Sequence, residues 1–267
     1  MDALNEQVPA STAPPEAPPA AAVPPAAAPS AAAPPAAAPP APAPPALGAA
    51  ATVVLLRDGE LGLEVLLAER PHDRGSFRGA WVFPGGAVDP GDAHGQAIDD
   101  VESARRAAVR ETREEIGIDV DPAELVAFSH WVPPMIAQKR LVTTFFAARM
   151  PDGELRPAPD ELVAVAWIRP AEALERHAAG AMTLWPPTWV TLHGLAAEAS
   201  VDAALARFRQ RELHRFAGRF DEAGTTILWQ EDAAYLAADG AEHGAGLDGP
   251  RHRLVMTGLP WQYLAAF

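Results

Sequence analysis

Arg110-Glu111-Thr112-Arg113-Glu114-Glu115-Ile116-Gly117-Ile118 is the stretch that decides the reading of this chain. On a helix advancing ~100° per residue, Glu111, Glu114 and Glu115 fall within an arc of roughly 100°. Like charges at these spacings weaken a helix by a few tenths of a kcal/mol per pair, so a compensating cation is expected. A hard divalent ion suits the purpose, because Mg²⁺ takes oxygen ligands and shares them with substrate phosphates. The alternative for an isolated acidic triplet is a solvated helix face. The surroundings favour the metal.

Upstream runs Gly79-Ala80-Trp81-Val82-Phe83-Pro84-Gly85-Gly86-Ala87-Val88-Asp89-Pro90-Gly91-Asp92. It reads as a short apolar strand broken by Pro84 and by paired glycines, which let the backbone approach a ligand closely. A helix follows, with Asp99, Asp100 and Glu102 expected in its first turn and Gly117 as its stop. Ile98, Val101, Val109 and Ile116, with Thr112 and Arg105, project to one side as a sheet-packing face. Ala104 and Ala107 fall beneath Glu111, where they are expected to leave room beside the site.

These residues resemble the Nudix hydrolases. Their signature is Gly, five residues, Glu, seven residues, then Arg-Glu-U-x-Glu-Glu-x-Gly-U, where U is bulky and apolar. Arg110, Glu111, Glu114, Glu115, Gly117 and Ile118 match the second half, with Thr112 at the first U. Gly86 opens the first half, and Asp92 stands where Glu is usual. Seventeen residues separate Asp92 from Arg110, a ten-residue insertion. Glu102 restores the usual gap, but on a helix it lies ~180° from Glu111 and cannot share its site.

The resemblance, over about residues 48–180, implies an α/β/α sandwich with a mixed sheet, and hydrolysis of a diphosphate linked to another moiety. It implies Glu111, Glu114, Glu115 and the backbone of Gly86 as ligands for Mg²⁺ or Mn²⁺. Glu114, Glu115 and Arg110 are the implied catalytic residues, with Glu161 (or Asp160) as a base from a distant loop. A catalytically silent Nudix-fold binding or regulatory module is the alternative, and the intact glutamates speak against it.

Composition divides the chain into 1–47, 48–182 and 183–267. Residues 1–47 hold 15 of the 29 prolines and no Lys or Arg, a composition expected to give a disordered Ala/Pro-rich tail. Residues 48–182 form the expected Nudix domain, and residues 183–267 a helical and mixed extension without a motif. Within the core, Ala50–Arg57 and Leu63–Arg70 read as a hairpin around Asp58-Gly59-Glu60-Leu61-Gly62. Leu125–Trp131, Leu141–Met150 and Leu162–Ile168 read as strands, and Pro170–Ala179 as a helix. Residues 186–216 read as a helical pair, and Thr225–Trp229 with Arg251–Met256 as paired strands.

Cysteine is absent, which excludes thiolate chemistry and fits a cytoplasmic protein. A net charge of −14 argues against general nucleic-acid binding. No apolar run outside the Pro-broken tail suits a membrane span. The expected partner is a small-molecule diphosphate, and homodimer formation is left open.

The substrate is addressed by Leu66-Leu67-Ala68-Glu69-Arg70, eight residues before Gly79. The stretch resembles the upstream pattern of coenzyme A diphosphatases in total spacing. It departs from that pattern at Ala68, at Pro71, and in having its second arginine displaced to Arg74. Coenzyme A or acyl-coenzyme A is the implied substrate, with ADP-ribose or a dinucleotide as the alternative. Arg70, Arg78, Lys139 and Arg140 (with Arg74) are the candidate phosphate contacts, and His130 and Trp131 the candidates for stacking on a base.

Overall fold

Gly48–Gly59 is apolar along nearly its whole length, as a strand covered on both faces must be. The structure, a computed structural model, describes residues 47–135, 140–235 and 249–267. The elements run β1 (Gly48–Gly59), β2 (Gly62–Glu69), β3 (Trp81–Val82), β4 (Gly85–Ala87), α1 (Pro90–Ala93) and α2 (Val101–Ile116). Then come β5 (Val126–Val132), β6 (Leu141–Arg149), β7 (Ala164–Ile168), α3 (Pro170–Ala178), α4 (Pro186–Leu195) and α5 (Val201–Gln210). The chain closes with β8 (His214–Ala217), β9 (Arg219–Phe220), β10 (Thr226–Leu228), β11 (Arg251–Val255) and β12 (Gln262–Ala266).

The expected hairpin is β1–β2, closed at Gly59 and Gly62, where φ of 119° suits glycine. The main sheet runs β3-β2-β1-β6-β5-β8, with β4 on β1 and β7 on β2. It is mixed: β6 is parallel to β1, β8 is parallel to β5, and the other pairs are antiparallel. Alternation along β1 sorts side chains to opposite faces. Ala51, Val53 and Leu55 pack under α2, whereas Val54 and Leu56 join a larger core with α3, α4 and α5. Helices on both faces of a mixed sheet make an α/β/α sandwich.

Several expectations are corrected. Ala104 and Ala107 do not leave room at the site: they are 1% and 0% exposed and pack in the core. The helix rests on its small residues because they let it lie close to β1. Ile98 precedes the helix and is exposed. The helical pair ends at Gln210, and His214–Ala217 is a strand that extends the sheet beside β5.

Residues 183–267 share the sheet and the core of the preceding residues. Trp81 N donates to Thr183 O at 2.9 Å, and Leu192, Leu195, Leu205, Phe208 and Trp229 belong to the larger core. β9 to β12 form a second sheet in which β10 and β11 pair as expected. The residues of the Ala/Pro-rich tail through 46, and Lys139, lie outside the described residues. Among the described residues no helix is long and apolar enough to cross a membrane.

Candidate active site

Helix α2 is set by local chemistry at both ends. The Asp100 side chain accepts from Glu102 N at 2.8 Å, and Gly117 stops the helix at φ 74° with its N–H on Arg113 O. Glu102 stays in the first turn and pairs with Arg105. Arg105, on the face expected to be apolar, donates to the carbonyls of Pro122 and Leu125 and lies over Phe146. Thr112, at the position of a bulky apolar residue, is buried and returns its hydroxyl to Ala108 O at 2.7 Å.

Two of the three glutamates meet the glycine loop. Glu115 is 2% exposed, and its Oε2 accepts from Gly85 N at 2.9 Å. The Glu111 carboxylate lies against Gly86 so closely that a Cβ there would overlap it. Gly85 is hemmed in by Ala51 O and Thr52 at φ 152°, which only glycine tolerates. The paired glycines therefore seat the two carboxylates.

Arg110 organises the cluster and has no donor to spare. Nη1 reaches Glu111 Oε1 at 2.8 Å and Glu114 Oε2 at 3.0 Å. Nη2 reaches Ala87 O and Asp92 Oδ2, both at 2.9 Å, and Nε reaches Asp92 Oδ1 at 3.2 Å. Every guanidinium N–H of Arg110 is thus committed within the protein, a geometry suited to positioning the carboxylates. Asp92 takes the place of the motif's first glutamate. It sits in α1, where Asp89 N donates to its side chain, and is nearly buried. The insertion is tied down by Arg106, which donates to Asp92 O, Ala93 O and Gln96 Oε1. Its only sequence signal is its place one helical turn before Arg110.

Burial is the largest influence on two carboxyls. It pushes Glu115 up to about 7, while Gly85 N–H and Arg70 pull the other way. It also raises Glu111, with Arg110 opposing and the charges of Glu114 and Glu161 adding to the rise. The charge of Glu161 is the smallest of the influences raising both carboxyls, which puts its loop within electrostatic range of them. That loop is fastened to the C-terminal end of α2: Arg156 N donates to Ile116 O and Ala158 N to Glu115 O, both at 2.8 Å.

The arginines divide. Arg70 Nη1 lies 3.5 Å from Glu115 Oε1, so it faces the cluster itself. Arg74 donates from Nε and Nη2 to Asp160 O, at 3.2 and 2.9 Å, which commits it to the protein. Arg78 is exposed. Arg140 leads into β6, with a buried Nε that lacks a hydrogen-bond partner among the described residues. Trp131 is a core residue stacked on Phe216 at 4.0 Å, not a platform for a base.

A partly buried acidic cluster beside a glycine loop, two of its carboxylates held by one arginine, is a fitting seat for a hard divalent cation and for the phosphates such an ion holds. The chain belongs to the Nudix family: the NUDIX domain matches residues 46–186. It is 34% identical over 125 residues to the CTP pyrophosphohydrolase of Escherichia coli K12, across 46% of this chain and 76% of that protein. It is 30% identical over 115 residues to the NAD-capped RNA hydrolase NudC of Stutzerimonas stutzeri A1501, across 43% of this chain but only 34% of that protein. The crystal structure of a NUDIX hydrolase from Alicyclobacillus acidocaldarius overlays with a TM-score of 0.54 at 26% identity, covering 60% of this chain and 96% of the other. The chain is a Nudix-type diphosphatase, and enzymes of this family generally use divalent metal ions such as Mg²⁺ or Mn²⁺.

Proposed function

We propose that this protein hydrolyses the diphosphate of a nucleotide-linked small molecule, with Mg²⁺ or Mn²⁺ held by Glu111, Glu114, Glu115 and the backbone carbonyl of Gly86. The observation that carries this reading is the convergence of Glu111 and Glu115 on Gly86 and Gly85, with burial raising both carboxyls. A bound divalent cation would offset the cost of holding these carboxylates charged, neutralise phosphate oxygens and polarise a water.

The chain's own residues supply the geometry. Arg110 aims Glu111 and Glu114, and Gly85 N–H holds Glu115. Glu161 is exposed and within electrostatic reach of Glu111 and Glu115, and it is the proposed acceptor of the proton of the attacking water. The water oxygen bonds to phosphorus as the bridging phosphorus–oxygen bond breaks, and the leaving phosphate takes up the bonding electrons.

Among substrates, the spacing of residues 66–86 supports coenzyme A or acyl-coenzyme A. The geometry favours a second reading, a nucleoside triphosphate or dinucleotide, because Arg74 is spent on Asp160 O and Arg70 faces Glu115. The similarity to a CTP pyrophosphohydrolase supports that second reading. The net charge of −14 supports a small molecule over a polynucleotide.

The test is a panel of CTP, NADH, ADP-ribose, coenzyme A and 3′-dephospho-coenzyme A. Release of a monophosphate is followed with Mg²⁺, with Mn²⁺ and with EDTA. Metal-dependent turnover of at least one substrate is expected, and turnover undiminished in EDTA would overturn the mechanism. If coenzyme A is turned over and Arg70 holds its 3′-phosphate, Arg70→Ala should raise KM for coenzyme A roughly ten-fold more than for the dephospho form. Equal effects on both forms remove Arg70 from that role.

A further inference from the structure

Away from the glutamate cluster, three side chains far apart in sequence converge. His214 opens β8 on the edge of the main sheet, Glu231 follows β10, and His252 lies on β11 of the second sheet. One donor atom of each lies within 4.8 Å of the other two. Glu231 stands between the imidazoles, with Oε2 2.6 Å from His252 Nδ1 and Oε1 3.8 Å from His214 Nε2.

Two observations go beyond an ordinary buried ion pair. His214 Nε2 is buried and has no hydrogen-bond partner among the described residues, a costly state for a ring nitrogen. His252 is fully buried, and its other nitrogen lies 2.9 Å from the Tyr263 hydroxyl. A hydrogen bond on the far nitrogen is the usual way a metal-binding imidazole is fixed in its tautomer and orientation.

We propose that His214, Glu231 and His252 bind one divalent transition-metal ion of the Zn²⁺ type, at a site separate from the glutamate cluster. Two imidazoles and one carboxylate form a donor set for Zn²⁺ and its neighbours, whereas Mg²⁺ prefers oxygen alone. Tetrahedral bonds of about 2.0–2.2 Å place donor atoms about 3.3 Å apart. The distances of 2.6 and 3.8 Å bracket that spacing, so small side-chain shifts complete the site. Burial lowers the pKa of both imidazoles against the pull of Glu231, keeping the rings in the neutral form that ligates. Phe267 stacks on His252 at 4.2 Å and Phe216 meets His214 edge-on at 4.3 Å, which walls the cluster. The ion would brace the edge of the main sheet to the second sheet.

The experiment titrates Co²⁺ and Zn²⁺ into the full chain held in excess Mg²⁺, which occupies the oxygen-only site. One equivalent of Co²⁺ should bind with the intense visible absorption of a four-coordinate, nitrogen-ligated ion. Zn²⁺ should displace it and, at a hundredfold excess over its Kd, raise Tm by roughly 5–10 °C. His214→Ala and Glu231→Gln should each abolish the band and the Tm shift. Their turnover with Mg²⁺ should stay within about two-fold, as for sites without shared partners. His214→Gln keeps the size of a partly exposed side chain and serves if the alanine variant fails to fold. A wild-type protein without the band, or variants that bind Co²⁺ like wild type, would overturn the proposal.

Discussion

Arg110 grips Asp92 at two points, Nη2 to Oδ2 at 2.9 Å and Nε to Oδ1 at 3.2 Å, across the seventeen residues that separate them. The same guanidinium holds Glu111 and Glu114, so the aim of two site carboxylates depends on a residue in another helix. Burial alone would raise the Asp92 carboxyl. Arg110 and the Asp89 N–H outweigh it and hold it below the usual carboxylate range. Asp92→Asn keeps the shape and removes the charge. It should lower kcat at least ~10-fold and destabilise by about 1–3 kcal/mol, as when a buried hydrogen-bonded charge loses its partner. Thermal melts and Mg²⁺-dependent turnover check this, and unchanged kcat would show that Arg110 aims the glutamates without Asp92.

Glu114→Gln should lower kcat at least ~10²-fold, of the order seen when a key electrostatic group is lost. The Glu114 side chain is about half exposed, at 55%, so the fold should survive. Circular dichroism and turnover measured on one sample separate the two effects. Full activity in this variant would remove Glu114 from the metal site.

The two glycines should fail differently. The nearest neighbour of a Cβ on Gly86 is the flexible end of Glu111, so Gly86→Ala should fold and displace the carboxylate, at a loss of at least ~10-fold in kcat. A Cβ on Gly85 meets Ala51 O at a φ that side chains avoid, so Gly85→Ala should destabilise the protein itself. Soluble yield and Tm distinguish them, and equal Tm values would contradict this assignment of roles.

Stability in EDTA should depend on Glu115. Its carboxyl is raised in the fold from the ordinary 4.5 to about 7. The folded chain therefore binds the extra proton between those values, and stability is fully present below 4.5 and lost as pH rises through about 7. Tm in EDTA should fall over that interval in wild type, with a shallower fall in Glu115→Gln. Parallel slopes for both proteins would assign the titration elsewhere.

The sequence by itself determined what neighbouring residues dictate. Gly117 stops the box helix, the Asp58–Gly62 turn closes the first hairpin, and the spacing of Glu111, Glu114 and Glu115 puts them on one face. These signals are local, because caps, turns and periodicity act within a few residues. Only the tertiary structure decided that the helix lies on Ala104 and Ala107, that Asp92 reaches Arg110 past the insertion, and that Arg74 is spent on Asp160 O. It also decided that residues beyond 183 complete the same sheet and core, and that His214, Glu231 and His252 meet. Such pairings follow from how two helical layers fit the sheet, and no spacing along the chain encodes which side chains that packing brings within 3 or 4 Å.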